Sequence, residues 1–111
     1  MRKIKLMADY NCWPLWESGD RIGNVDPGEL PISDGLKQRL IVWARQFDQT
    51  LDRQSPVSSG FPDAGSLNTF EAEGQRLWQD LRIQLGEGYE VAYFSEKRRQ
   101  LLQKPEKESA V

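Results

Sequence analysis

The chain has no histidine, one cysteine and no long apolar run, and each absence excludes a class of function. Without histidine it lacks the commonest general base at neutral pH and the commonest zinc ligand, which excludes serine and cysteine triads that depend on it. The lone Cys12 cannot form an internal disulfide, and its place beside Trp13 and among acids favours a structural thiol. The longest apolar run, Leu40–Ala44, is far shorter than the roughly 20 residues of a membrane span.

Size and charge predict a soluble protein that does not bind nucleic acid. The 111 residues suit one domain, 1–104, followed by a disordered tail, 105–111. The basic start reaches Asp9 before any apolar stretch long enough for a signal peptide, so we expect a cytoplasmic protein. A net charge of -2 does not suit phosphate binding, which needs clustered Lys and Arg. Acids concentrate between Asp9 and Asp34, and bases follow Ser95.

Hydrophobic periodicity predicts three strands and two long helices. The predicted strands are 4–8, 12–17 and 89–94, of which the second is weakened by Pro14. One amphipathic helix begins after the N-cap Ser33 and ends near Asp52, and the other covers 67–85. The segments 18–32 and 53–65 are predicted to be loops, and Ser95 is predicted to cap a short last helix carrying Leu101 and Leu102.

These elements predict an α+β domain with a small two- to three-stranded sheet and two amphipathic helices packed on one face. Gly74 lies in the middle of the second apolar stripe, where glycine costs about 0.5–1 kcal/mol relative to alanine. We therefore expect the neighbouring helix to approach closely at this position. Gly86 is expected to end the same helix.

Carboxylates offer the main route to chemistry in a chain without histidine. The acidic residues between Asp9 and Glu29 are of the kind that can flank a sugar bond in an enzyme or hold a hard cation. Their spacing does not match a calcium-binding loop, and no phosphate-binding loop is present. We predict no catalytic residue, no metal and no cofactor. The alternative is a small enzyme, or a domain binding a small ligand or metal, that uses Asp9, Tyr10 and the nearby acids.

The tryptophans are more informative. Trp43 and Trp78 lie on the helix stripes and are predicted to be core residues. Trp13 and Trp16 are three residues apart around a proline, so in a strand they face opposite sides and at least one is partly exposed. Exposed tryptophan is enriched at binding hot spots. The alternative, in which both rings fold over the edge of the sheet, is equally consistent with the sequence.

Several segments, spread over nearly the whole chain up to Phe94, resemble a known family. The start Lys5-Leu6-Met7-Ala8-Asp9-Tyr10, followed by Cys12-Trp13-Pro14-Leu15-Trp16 and Gly23-Asn24-Val25-Asp26-Pro27, resembles a family of small uncharacterised bacterial proteins. The resemblance implies a cytoplasmic bacterial protein and brings no catalytic residues. More loosely, an acidic single domain with exposed aromatics and without catalytic side chains is similar in type to the immunity proteins that neutralise bacterial nuclease toxins.

The hypothesis is therefore a protein-binding module, an immunity-type inhibitor of a basic toxin such as a nuclease. Acids would steer the encounter, and indole surface would be buried in the complex. The predicted partner-binding residues are Trp13, Trp16, Glu17, Asp20, Asp26 and Glu29. A third interpretation is a homo-oligomer whose aromatic patch contacts a second copy.

Overall fold

A computed structural model describes residues 2–19, 22–50, 61 and 63–103. The elements in chain order are β1 (Arg2–Leu6), β2 (Leu15–Ser18), β3 (Ile22–Val25), a 3-10 turn (Pro27–Glu29), α1 (Asp34–Asp48), α2 (Ala64–Leu85), a second 3-10 turn (Gly86–Gly88), β4 (Tyr89–Ser95) and β5 (Gln100–Leu102). The strand order is β3-β2-β1-β4-β5. The central strands β1 and β4 are parallel, and the other neighbours are antiparallel.

The α+β class is confirmed, but the predicted two- to three-stranded sheet is wrong, because the described residues form a five-stranded mixed sheet. Strand β3 lies inside the predicted loop 18–32, and β5 replaces the short helix predicted after Ser95. Both are edge strands of three or four residues. Pairing with a neighbour defines such short strands more than their own sequence does, since β-propensity depends strongly on context.

Both long helices pack on one face of the sheet, as predicted. Trp43 of α1 and Trp78 of α2 are buried, and their rings lie 6.4 and 5.4 Å from the ring of Tyr93 on β4. Each indole N–H donates to a backbone carbonyl, Trp43 to Phe70 and Trp78 to Val91. These bonds satisfy the polar end of each buried indole, as burial of tryptophan requires.

The helix ends follow local capping signals. Ser33 caps α1, its Oγ accepting from the Leu36 N–H at 3.1 Å, as predicted. The helix ends at Asp48, earlier than predicted. Residues 51 and 52 of the predicted helix lie outside the described residues, as do most of the predicted loop 53–65 and all of the predicted tail 105–111. Gly86, with φ of 74°, ends α2 as predicted.

Gly74 allows close packing between α2 and its neighbours. A Cβ at this position would lie 2.4 Å from the Tyr93 Oη and 2.9 Å from the Trp43 Cζ2. The close approach predicted here is therefore real. It comes from strand β4 as well as from the neighbouring helix α1, whereas the sequence predicted only the helix.

The other face of the sheet is the more exposed one. Its residues are exposed or half-buried, including Ile22 and Leu101 at the two edges and Lys3 in the centre. Neither α1 nor α2 combines the length and hydropathy of a membrane-spanning helix.

Candidate functional site

A short loop between β1 and β2 carries the most exposed tryptophan of the described residues. We call this segment, Asp9–Pro14, the tryptophan loop. It turns tightly: the Asp9 Oδ1 accepts from the Tyr10 N–H at 2.8 Å, the Cys12 N–H donates to the Asp9 carbonyl, and Asn11 has a φ of 60°. Asparagine is one of the few residues that adopt this left-handed conformation at low cost. The turn is therefore encoded locally.

Helix α1 holds the loop from one side. The Asn11 N–H donates to the Asp48 Oδ1 at 2.9 Å, at the end of the helix. The Tyr10 ring stacks on Phe47, with centroids 4.5 Å apart, and its hydroxyl bonds to the Thr50 Oγ1 at 2.8 Å. Stacking and two hydrogen bonds thus fix the loop against the helical layer.

Strand β3 holds the loop from the other side, through one side chain. The Asn24 Oδ1 accepts from the Trp13 N–H at 3.0 Å, and the Asn24 Nδ2 donates to the Trp13 carbonyl at 2.7 Å and to the Leu15 carbonyl at 3.0 Å. The Trp13 side chain itself is open to solvent, since the residue is 43% exposed. A large apolar group is thus presented on a fixed backbone.

The second tryptophan has a different role. Trp16 lies in β2 on the outer sheet face, opposite Asn24 in the ladder, and is half-buried. Its Nε1–H donates to the Met7 carbonyl at 3.0 Å, so the indole bridges β1 and β2. Trp13 precedes the strand instead of lying within it: the strand predicted over 12–17 was placed too early and begins at Leu15.

The acids predicted from the sequence lie in different places. Glu17 forms an ion pair with Arg2, and its side chain is 11% exposed. Asp26 caps the 3-10 turn, accepting from the Gly28 N–H at 2.8 Å, and Glu29 is exposed. Val25 pairs with Leu15, which places Asp26 at the end of the sheet that carries Trp13, whereas Glu17 lies further along β2 toward the opposite end. Asp20 lies outside the described residues.

Two acids that sequence reasoning missed lie beside the tryptophan loop. Asp48 binds the loop directly, and Glu96 follows β4. Leu6 pairs with Tyr93 in parallel strands, so the segments that follow β1 and β4 leave the sheet at the same end, and the charge of Asp9 acts on Glu96. We call Asp9, Asp48 and Glu96 the acidic rim. Of these three, only Asp9 lies in the acid-rich segment 9–34, and nothing in the sequence identified β1 and β4 as parallel neighbours.

The charges of the rim act on neighbouring ionisable groups. Burial raises the pKa of Glu96, against the lowering effect of Arg99, and the charges of Asp9 and Glu71 raise it further. Burial, together with the charges of Asp9 and Asp48, raises the pKa of the Cys12 thiol. The prediction that this cysteine is not an activated nucleophile is therefore supported, because activation requires a lowered pKa.

A buried polar cluster supports the rim from below. The Glu71 carboxylate of α2 accepts from the Tyr93 hydroxyl and from the Ser95 hydroxyl, both at 2.8 Å, and from the Gln75 amide at 3.1 Å. Ser95 in turn accepts from the Arg98 N–H in the turn after β4. Burial and the neighbouring Glu71 strongly raise the pKa of Tyr93. The cluster ties the turn that carries Glu96 to helix α2.

The polar groups of the alternative ligand site already have structural partners. The Asp9 Oδ1 bonds within its own turn, and the Tyr10 hydroxyl bonds to Thr50. In the described part of the chain, no three metal-ligating side chains are grouped as an ion would need. This geometry favours a contact surface at the tryptophan loop over a small-ligand site.

Comparison with known proteins gives one family. The model of the family described as Serratia CdiI immunity protein-like matches residues 2–96, a span that includes both helices, strands β1 to β4, the tryptophan loop and the acidic rim. No curated protein matches the chain.

Proposed function

This chain belongs to the Serratia CdiI immunity protein-like family, and from that membership we propose that it is an immunity protein that binds a toxin and blocks its activity. It acts by binding and not by catalysis. The observation that carries the proposal beyond the family is the tryptophan loop, where Trp13 is 43% exposed although its backbone is fixed. Rigid aromatic side chains bordered by polar groups are the usual anchors of protein interfaces.

We propose that the toxin surface is basic. The tryptophan loop begins at Asp9 and is bonded to Asp48, and Asp26 lies at the end of the sheet that carries Trp13. Glu29 is exposed in the 3-10 turn that follows Asp26. A nuclease toxin fits this surface, because proteins that bind nucleic acid carry clustered Lys and Arg.

We leave Glu17 out of the proposed contact because its carboxylate is already paired with Arg2. Glu96 is likewise bonded to Arg99 and is 12% exposed, so Asp9 and Asp48 are the rim acids proposed to face the toxin.

Replacing Trp13 with alanine tests whether the tryptophan loop contacts the toxin. We expect Trp13→Ala to weaken binding to the toxin partner roughly 30-fold, about 2 kcal/mol, as for a hot-spot tryptophan. Thermal stability should change little, since the ring is half outside the core. Isothermal titration calorimetry with the purified, catalytically inactivated toxin measures the effect. Ile83→Ala is the matched control, because Ile83 is 76% exposed on α2 and lies outside the proposed surface.

Two outcomes would contradict this proposal. Equal affinity of Trp13→Ala and the unsubstituted protein would exclude the tryptophan loop as the contact. Failure of the unsubstituted protein to bind the toxin, or to protect cells that produce it, would exclude the immunity function. Light scattering of the free protein over a concentration series separately tests the self-association interpretation.

The basic character of the partner has its own test. Asp9→Asn and Asp48→Asn remove two charges but keep an acceptor oxygen for the Tyr10 and Asn11 N–H groups. In the double variant we expect the association rate at low salt to fall about tenfold, and the difference to shrink as salt screens the charges.

Stopped-flow kinetics at low and high salt measure this effect. Glu87→Gln is the control, because it removes a charge from an exposed residue just before β4, at the opposite end of that strand from Glu96. An association rate that is the same for the double variant, or equally reduced by the control, would exclude electrostatic steering by this rim.

A further inference from the structure

We propose that Asn24 is a positioning residue for the toxin contact: its side-chain amide holds Trp13 in the binding conformation before the toxin arrives. The inference rests on the proposed function, since it assigns a role within the same surface. Asn24 lies in the edge strand β3, whose ladder with β2 ends at the pair Val25 and Leu15. Trp13 lies two residues beyond that pair, where no backbone partner from β3 reaches it.

The Asn24 amide replaces the missing strand. It accepts from the Trp13 N–H at 3.0 Å and donates to the Trp13 carbonyl at 2.7 Å, the same pair of bonds that an antiparallel neighbour would make. Its third bond, to the Leu15 carbonyl at 3.0 Å, fixes the amide itself to the first residue of β2. Only a side-chain amide offers a donor and an acceptor at this spacing.

The backbone around Trp13 has few other constraints. Pro14 has no N–H, so its only ladder bond is the one its carbonyl accepts from the Met7 N–H at 2.9 Å. Among the described residues, every hydrogen bond of the Trp13 backbone goes to Asn24. Loss of this amide would therefore release the anchor and leave the rest of the loop held by α1.

The role has an energetic rationale. Ordering a backbone and a large side chain at the moment of binding reduces affinity, and preorganisation removes that cost. Fixing one residue before the encounter corresponds to about tenfold in affinity. Asn24 itself contributes this gain without having to touch the toxin.

The first arm of the test uses the free protein. In Asn24→Ala we expect the backbone order parameter of the Trp13 amide, from nitrogen-15 relaxation, to fall from about 0.85 to below about 0.6. Asn24→Asp keeps an acceptor for the Trp13 N–H but places an oxygen against two carbonyls, so it should also loosen the loop. Asn68→Ala, at an exposed position on α2, is the control and should leave Trp13 rigid. A rigid Trp13 in both Asn24 variants would overturn the proposal.

The second arm measures toxin affinity in a double-mutant cycle. Asn24→Ala should weaken binding about tenfold in the unsubstituted protein but by less than about twofold in Trp13→Ala, because a positioning residue acts only through its anchor. A general structural defect would give equal losses in both backgrounds and would overturn the assignment. A loosened loop with unchanged affinity would overturn only the role of Asn24, whereas absence of toxin binding by the unsubstituted protein would remove the proposed function as well.

Discussion

Replacing Gly74 with alanine is expected to lower the free energy of unfolding by about 2–3 kcal/mol, although alanine is the better helix former. The added Cβ would lie 2.4 Å from the Tyr93 hydroxyl oxygen and 2.9 Å from the Trp43 ring, and both side chains are fully buried. Neither ring has space to move, and a displaced Tyr93 hydroxyl would also lose its bond to Glu71. Overpacking and a weakened buried hydrogen bond together outweigh the gain of up to about 1 kcal/mol in helix propensity.

Urea denaturation followed by circular dichroism measures this loss. Gly35→Ala is the matched control: it also replaces a helical glycine, but the nearest atom to the new Cβ would be the Ser33 Oγ at 4.0 Å. There we expect a neutral or slightly stabilising effect. If Gly74→Ala were as stable as Gly35→Ala, the close packing of α2 on Tyr93 and Trp43 would be wrong.

The two long helices show what periodicity is able to predict. Each has an apolar stripe and an N-terminal cap that act locally, and Gly86 stops α2, so α1 and α2 were found with small errors at the ends. Strand β3 was missed because Gly23 and Asn24 are typical of loops. What makes this segment a strand is its pairing with β2 and the Asn24 amide that continues the pairing, and both are long-range features.

The candidate site also depends on strand pairing that no local signal encodes. The sequence left open whether the early tryptophans are exposed or buried, and its spacing argument placed Trp13 and Trp16 in one strand, whereas Trp13 precedes β2 and is exposed from the loop. The acidic rim was not predictable, because Asp9 and Glu96 become neighbours only through the parallel pairing of β1 with β4. That pairing depends on the whole chain between the two strands, including both helices, and no local signal encodes it.

Removing the carboxylate of Glu71 is expected to cost about 3 kcal/mol in unfolding free energy, since Glu71→Ala leaves two buried hydroxyl groups without their acceptor. Tyr93 and Ser95 are both fully buried and donate to Glu71 at 2.8 Å. Each unsatisfied buried group costs about 1–3 kcal/mol, and the lost side chain also leaves a cavity. Thermal unfolding should show a decrease of more than about 10 °C in the melting temperature.

An exposed glutamate, Glu90, is the control for the buried Glu71. Glu90→Ala removes a carboxylate that is 61% exposed and 4.0 Å from the Lys3 Nζ, so we expect a loss below about 0.5 kcal/mol. Tyr93→Phe should clearly destabilise the unsubstituted protein. The same substitution made in the Glu71→Ala variant should destabilise it only slightly, because the Tyr93 hydroxyl has already lost its acceptor in that variant. Additive losses in that cycle would mean that the Tyr93–Glu71 bond contributes nothing.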